Sequence, residues 1–256
     1  MATIERIPVT DREQWLALRK NDITASDVAA VCGEGMYGSA AKVWAEKRGV
    51  IQPAELNEAM KRGHWGEAAV FEALQWERPT WELRRAKIYM RDPDARLGAT
   101  PDGAAIIPGR DGVCIIQAKV VALPVFKRDW LLIEGDNPET GEAEPPIGYQ
   151  LQTTTENMLA EATVGILAVL IVDTFKWTLR TFEIERHAGA EAMIRKKVKA
   201  FWTNYLDTGI QPPLEAERDA ELVKRLYPKD DGTTIDLSGN NRILELLDRR
   251  DRKSVV

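Results

Sequence analysis

The stretch that decides the fold is residues 99–121, ATPDGAAIIPGRDGVCIIQAKVV. Two runs of small and β-branched apolar residues, DGAAII and VCIIQAKVV, flank the turn sequence at residues 108–112. This pattern predicts a β-hairpin. In its second arm, a period of two places Gln117 and Lys119 on the same face. An apolar strand therefore ends in two polar groups on one side.

Asp102 opens the first arm and is brought opposite this polar strand end. A shift of one residue in register would turn Asp102 onto the other face, so the interpretation requires a loop of even length or a bulge. Phosphodiester hydrolysis needs a metal ion that ionises water and neutralises phosphate, and carboxylates at adjacent strand ends can converge on it. A lysine two residues from a ligand, as Lys119 is from Gln117, can orient or deprotonate the attacking water.

Composition limits the class of protein. The chain has 256 residues, 44% hydrophobic and 29% charged, as in an ordinary globular protein. A net charge of −5 does not indicate a nucleic-acid binder, so any positive charge that meets DNA must be local. Two cysteines and two histidines exclude a disulfide framework and a multi-histidine metal site, which leaves hard, oxygen-bound metals such as magnesium. The absence of a long apolar run and of a signal peptide predicts a cytoplasmic protein without membrane contact.

The rest of the chain alternates between helical and strand patterns. Residues 11–32 predict two helices separated at Asn21-Asp22, the second capped by Thr24, and further helices are predicted near 40–48, 65–75, 147–160 and 188–206. Strands are predicted at 87–90, 96–100, 162–173 and 176–184, and the acidic segment 130–146 is predicted to be a mobile loop. We expect one large domain over residues 1–210 and a weakly packed C-terminal extension over 211–256.

Several weak motifs follow one another in a specific order. Glu67 lies near the start of a predicted helix, Thr100-Pro101-Asp102-Gly103 opens a strand, Gln117-Ala118-Lys119 ends one, and Gln150 and Gln152 lie on the next helix. Acids near helix starts are usually caps, and Pro-Asp-Gly is usually a turn. An α/β domain whose acids only cap helices would explain each motif alone, but it does not explain their joint order.

The ordered motifs resemble those of the lambda exonuclease and YqaJ recombinase family over most of residues 1–210. The family's W-x-x-L-R and I-T-A-S-[DE] opening matches residues 15–19 and 23–27, its R-G-x-x-x-E block matches 62–67, and its Q-x-Q helix matches 149–152. The resemblance implies an α/β fold with the restriction-endonuclease-like PD-(D/E)XK core, a central mixed β-sheet flanked by helices.

The resemblance also implies roles for individual residues. Asp102 would bridge two Mg²⁺ ions, with Mn²⁺ as a substitute, while Glu67 holds one ion and Gln117 with the Ala118 carbonyl holds the other. Lys119 would activate the water. The 5′ phosphate of a duplex end would bind Arg19, Ser26, Thr100 and Gln152, while Gln150 belongs to the helix motif. Physical chemistry supports part of this, since Ser26 lies in the first turn of a helix, where free N–H groups and the helix dipole attract anions.

The implied function is metal-dependent degradation of linear double-stranded DNA, 5′ to 3′, which gives single strands for phage-type recombination. A phage or prophage origin, an annealing-protein partner and a toroidal homotrimer are further implications. Gln117 departs from the family, because it stands where the core carries an acid and removes one negative charge from the cation site. The glutamine is tolerated in an active enzyme, is an engineered change, or marks a natural variant that binds DNA ends without cutting; the sequence leaves these alternatives open.

Overall fold

The computed structural model describes residues 3–36, 38–52, 58–132, 141–215, 218–229 and 232. The helices within these ranges are α1 (Arg12–Lys20), α2 (Ala25–Cys32), α3 (Ala40–Lys47), α4 (Glu58–Glu77), α5 (Leu123–Asp129), α6 (Ile147–Ala160), α7 (Ala188–Phe201) and α8 (Ala220–Leu226). The strands are β1 (Glu5–Pro8), β2 (Ile23–Thr24), β3 (Glu82–Arg85), β4 (Ile88–Asp92), β5 (Leu97–Ala99), β6 (Gly103–Ile106), β7 (Cys114–Ala122), β8 (Leu131–Leu132), β9 (Ala143–Glu144), β10 (Val164–Val172) and β11 (Trp177–Glu185).

The main sheet has five strands in the order β11-β10-β7-β6-β3. Strands β7 and β10 run parallel, and all other neighbours in this sheet run antiparallel. The predicted hairpin is confirmed as β6 and β7, with Gly103 opposite Ile116. The sheet is therefore mixed, as expected from the motif order.

Helices cover both faces of this sheet. Ile116 and Ala118 of β7 pack against Val70 and Leu74 of α4 on one face. On the other face, Val121 packs with Phe126 of α5, and helix α6 contacts both β7 and β10. Strand β10 is buried along nearly its whole length, which explains why its sequence is apolar without alternation. Strand β7 thus runs between two apolar layers and reaches solvent only where it ends.

A second sheet, in the order β1-β4-β5-β2, positions the start of helix α2. Its anchor is Asp22, which is fully buried and accepts hydrogen bonds from Arg91 Nη2 at 2.9 Å and Tyr89 Oη at 3.0 Å. Burial, followed by the nearby Asp22 carboxylate, raises the pKa of the Tyr89 hydroxyl. The predicted break at Asn21-Asp22 is therefore a fixed corner, from which the short strand β2 leads directly into α2.

Several elements differ from the sequence prediction. Helix α4 begins at Glu58 rather than near Trp65, and strand β3 and helix α5 were not predicted. The predicted helix 188–206 is α7 followed by a π-helical turn over Trp202–Leu206. Most of the acidic segment 130–146 lies outside the described residues, so its predicted mobility stays a prediction.

The chain divides into two compact units, Met1–Ala220 and Glu221–Val256. Most of the second unit lies outside the described residues, and the weak packing expected for 211–256 therefore stays a prediction. In the part of the chain that the structure describes, no helix combines the length and the apolar character needed to cross a membrane.

Candidate active site

A cavity of about 360 Å³ opens beside the middle of strand β7, just past the last residue that pairs with β6, between helices α1, α2, α4 and α6. Nine of the ten predicted site residues line it, namely Arg19, Ser26, Glu67, Thr100, Asp102, Gln117, Ala118, Lys119 and Gln152. Gln150 is the exception, because its side-chain amide turns away and donates to the Pro145 carbonyl at 2.7 Å. The structure thus brings together residues from six separate segments of the chain.

Asp102 and Gln117 meet across the hairpin. The register that pairs Gly103 with Ile116 places Asp102 opposite Gln117 one step further on, and Gln117 Nε2 donates to Asp102 Oδ2 at 2.6 Å. The Ala118 backbone N–H donates to the same oxygen at 2.8 Å. Burial raises the pKa of Asp102, although the Lys119 ammonium and the Ala118 N–H oppose that effect. The register that the interpretation required is therefore present.

Glu67 reaches the cavity from the middle of helix α4, not from near its start as predicted. The glycine before it allows this approach, because a Cβ at Gly66 would lie 2.4 Å from Val120 Cγ2 of β7. Arg85 of β3 donates to Glu67 Oε2 at 3.1 Å and lies over the Phe71 ring at 4.7 Å. Burial and the neighbouring Asp102 raise the pKa of Glu67, so these two carboxyls repel each other in the absence of a cation.

Lys119 heads a chain of side-chain hydrogen bonds that continues into helix α6. Its Nζ donates to Gln152 Oε1 at 3.2 Å, and Gln152 Nε2 donates to Glu156 Oε1 at 2.9 Å. Glu156 is 1% exposed, and burial followed by the Asp102 charge raises its pKa to about 8. The amine of Lys119 also lies 5.2 Å from the centre of the Tyr149 ring. The lysine is therefore held in place by α6.

The side of the cavity formed by α1 and the start of α2 is rich in hydrogen-bond donors. Arg19 Nη2 donates to Ser26 Oγ at 3.1 Å and to Thr24 Oγ1 at 3.2 Å, and its guanidinium lies over the Trp15 ring at 4.4 Å. Trp15 Nε1 donates to Thr100 Oγ1 at 3.1 Å. These groups surround the first turn of α2, whose backbone N–H groups and dipole favour an anion. A guanidinium and hydroxyls at a helix start form a phosphate-sized donor cluster.

Asp27 fixes this donor cluster from behind. Its Oδ2 accepts from Thr24 Oγ1 at 2.7 Å and lies 3.2 Å from Lys47 Nζ. Burial opposes ionisation of Asp27, but the charges of Lys47 and Arg19 and the hydrogen bonds from Thr24 outweigh it and lower the pKa. Asp27 is therefore ionised at neutral pH and holds Thr24 toward Arg19.

The oxygen atoms of the cavity suit a hard cation. Gln117 is 3% exposed, and its Oε1 has no hydrogen-bond partner, a rare state for a buried polar atom. Carboxylate, amide and backbone carbonyl oxygens together form a donor set that magnesium and manganese accept. Among the described residues, however, no three His, Cys, Asp or Glu side chains lie together as a ready metal cluster, and Glu67 is already paired with Arg85.

Three contributors were missed from the sequence. Trp15 and Thr24 lay inside the recognised opening motif but were not assigned to the site. Glu156 stands after three threonines and carries no motif, yet it follows Gln152 by four residues and so shares its face of the helix. That spacing is the one signal that could have identified Glu156.

The fold and site together define the class of protein: an α/β domain with the nuclease core, in which the Asp group just before β6 meets the Gln and Lys groups of β7. Two solved structures with this fold are an alkaline exonuclease (LHK-Exo) from Laribacter hongkongensis and a phage related exonuclease from Haemophilus somnus. The first is 23% identical, covers 83% of this chain and 100% of its own, and has a TM-score of 0.60. The second is 13% identical, covers 73% and 94%, and has a TM-score of 0.52.

The chain belongs to the YqaJ-like viral recombinase family, whose domain model matches residues 14–162. A complex of LHK-Exo with dAMP, at 24% identity and a TM-score of 0.60, aligns over 84% of this chain and 97% of its own. None of the curated proteins matches the chain. The matched segment begins just before Trp15 and ends after α6, so it includes every lining residue discussed above.

Proposed function

We propose that this protein is a metal-dependent exonuclease that degrades linear double-stranded DNA from 5′-phosphorylated ends. The observation that carries the proposal is the meeting, in one cavity, of an acid and lysine cluster (Glu67, Asp102, Lys119) with a phosphate-sized donor cluster around Arg19 and Ser26. An exonuclease needs both, because it must recognise a chain end and cleave beside it. The 5′ to 3′ direction follows from assigning the donor cluster to a 5′ phosphate.

The residues that would hold two Mg²⁺ ions in this proposal are Glu67, Asp102, Gln117 and the Ala118 carbonyl. Bound magnesium would supply charge neutralisation at the phosphate and a water of lowered pKa. An amide oxygen is an acceptable magnesium ligand, and the unpartnered Gln117 Oε1 can serve as one if the amide turns so that Oε1 replaces Nε2 beside Asp102 and the Ala118 carbonyl.

Lys119 orients the attacking water and offsets the negative charge that develops on the phosphate oxygens. Its contact with Gln152 at 3.2 Å keeps the amine in the cavity rather than in solvent. The water oxygen adds to phosphorus, the P–O3′ bond breaks, the departing oxygen takes up a proton and one nucleotide leaves. The remaining strand again carries a 5′ phosphate, which is the group that Arg19 and Ser26 would bind next.

The proposal is tested with linear duplexes that carry either a 5′ phosphate or a 5′ hydroxyl, with magnesium or with EDTA. We expect faster release of nucleotides from the phosphorylated end and none in EDTA. Arg19→Ala should remove the preference for phosphate, because it deletes the charge of the donor cluster, while Arg12→Ala on the exposed side of α1 should retain it. Equal rates on both ends with wild-type protein would refute the end-recognition part of the proposal.

A second candidate function is favoured by one contact. Gln117 Nε2 lies 2.6 Å from Asp102 Oδ2 and 3.4 Å from the Ala118 carbonyl, which is the position that a cation would share with those oxygens. A side-chain amide that keeps this place would give a protein that binds DNA ends without cutting them. Gln117→Glu separates the two functions: a large gain in cleavage indicates an impaired enzyme, and no cleavage in either form indicates a binding protein.

The biological role that we propose is the production of single strands for phage-type recombination, with an annealing protein as partner and a homotrimer as the active assembly. A ring that encloses DNA would keep the protein on its substrate without a strongly basic surface. The net charge of −5 agrees with such topological retention.

A further inference from the structure

Two buried oxygen atoms in the cavity lack hydrogen-bond partners. They are Gln117 Oε1, on the strand, and Glu156 Oε2, on helix α6. Both side chains line the same cavity, and both are at least 97% buried, at 3% and 1% exposure. A buried polar oxygen without a partner costs on the order of 1–3 kcal/mol, so two in one cavity call for a physical explanation. A cation bound in this cavity, toward which both side chains can turn an oxygen, is such an explanation.

The charge of the site supports the same conclusion. With Gln117 neutral, the cation-binding residues assigned above contribute two carboxylates, Glu67 and Asp102. Glu156 lines the same cavity and would supply a third, which a bound cation would have to draw toward the other two, because the three do not form a ready cluster among the described residues. A hard dication favours carboxylates over amides, so an acid count of three is better matched to magnesium than a count of two.

The contacts of Glu156 leave one oxygen for a ligand. Gln152 Nε2 donates to Oε1 at 2.9 Å, and Gln152 is itself held by Lys119. Oε2 takes no hydrogen bond. A carboxyl that served only as a buried, protonated prop for Gln152 would donate its O–H group to an acceptor, and Oε2 makes no hydrogen bond to any described residue.

We propose that Glu156 replaces the acid that is missing at position 117, so that the third carboxylate of the cation site comes from helix α6 instead of strand β7. The inference rests on the proposed metal-dependent function and adds a ligand to it. It explains how the chain can keep glutamine at position 117 and still bind a dication.

The test is a titration of the full chain with Mn²⁺, followed by the electron paramagnetic resonance signal of the free ion. We expect Glu156→Gln, which keeps the shape and the hydrogen bond to Gln152, to weaken Mn²⁺ binding at least about 10-fold, since changes beside a metal commonly cost about 10–100-fold. The matched control is Glu72→Gln, which removes one charge from an exposed position of α4 outside the cavity and should leave binding unchanged.

A charge-swapped variant gives the second arm. Gln117→Glu combined with Glu156→Gln restores three carboxylates, with the third on the strand, and should bind Mn²⁺ at least about 10-fold more tightly than Glu156→Gln alone. Melting in EDTA gives a readout that needs no metal: Glu156→Gln should melt at a higher temperature than wild type, because a buried acid without a partner has been removed. Should the single variant fail to fold, the charge-swapped variant carries the test by its own Mn²⁺ affinity.

The outcomes separate this inference from the proposed function. Equal Mn²⁺ binding by wild type and Glu156→Gln, or no recovery in the charge-swapped variant, overturns the role of Glu156 even if the wild-type protein cleaves DNA. Wild-type protein that neither binds Mn²⁺ nor cleaves DNA overturns both. Lower melting of Glu156→Gln in EDTA would show that the carboxyl is a structural prop, which also overturns the inference.

Discussion

At the scale of single residues, the candidate site depends on close approaches as much as on polar groups. Glycine at position 66 lets α4 lie against β7, which is what carries Glu67 to the cavity. Gly103 has a similar role, because a Cβ there would lie 2.4 Å from Phe71 Cζ and 2.6 Å from the Arg84 carbonyl oxygen. The RGHWGE and PDG motifs therefore combine a functional acid with the glycine that positions it.

Gly66→Ala should destabilise the protein by about 1–3 kcal/mol, because the added methyl group overlaps Val120 in a packed layer. The control is Gly63→Ala on the same helix, where a Cβ meets no atom within 4 Å and alanine should stabilise the helix by about 0.5–1 kcal/mol. Urea unfolding followed by circular dichroism measures both. Equal effects of the two substitutions would contradict the close approach of α4 and β7.

At the scale of elements, the sequence predicted those with a strong pattern. The β6–β7 hairpin followed from alternation around a Pro-Gly turn, and α6, β10 and β11 followed from length and apolar content. Strand β3, with the sequence ELRR, was missed because it contains one apolar residue and lies at the edge of the sheet. Helix α4 was begun seven residues late because the glycines at 63 and 66 interrupt its pattern and indicate a loop.

The candidate site was likewise predictable where its residues lie in elements with a strong sequence pattern. Family order placed Asp102, Gln117 and Lys119 correctly beside one another, because antiparallel pairing leaves few registers open. The expectation that the strand ends there was wrong, since β7 continues along β10 to Ala122 and only its pairing with β6 stops. Arg85 and Glu156 come from elements whose contacts depend on packing across the sheet. The spacing of four residues from Gln152 was the one local signal for Glu156, and the contact of Arg85 with Glu67 could be learned only from the folded chain.

Helix α2 should lose its anchor in acid. The pKa of Asp27 is lowered in the folded state, so its ionised form stabilises folding above its ordinary value of 3.8, and this contribution is lost as the pH falls through the lowered folded pKa. Asp27→Asn should therefore cost about 1.5–3 kcal/mol at pH 7, the range for hydrogen bonds to charged groups. The cost should shrink as the pH falls below about 4. Denaturant unfolding of both proteins between pH 3 and 7 measures it, and a cost that does not change with pH would contradict the ion pair with Lys47.

At the scale of the whole molecule, the acidic charge and the local donor cluster have to be reconciled. An acidic monomer that meets DNA through one small pocket would dissociate readily at physiological salt. We therefore expect a mass of about three times 28.7 kDa in solution, from light scattering coupled to size exclusion. A single species at the monomer mass over the whole concentration range would contradict the ring, while end cleavage could still hold.

The hydrogen bond from the Ala118 N–H to Asp102 has a consequence for how such a site can change over time. The donor belongs to the main chain, so any residue except proline at position 118 supplies it. The carboxylate is thus secured by a group that ordinary substitution cannot delete. Substitutions of the neighbouring side chains, including an acid replaced by an amide at position 117, leave this hydrogen bond in place. Asp102 therefore stays fixed while negative charge is regained at another position.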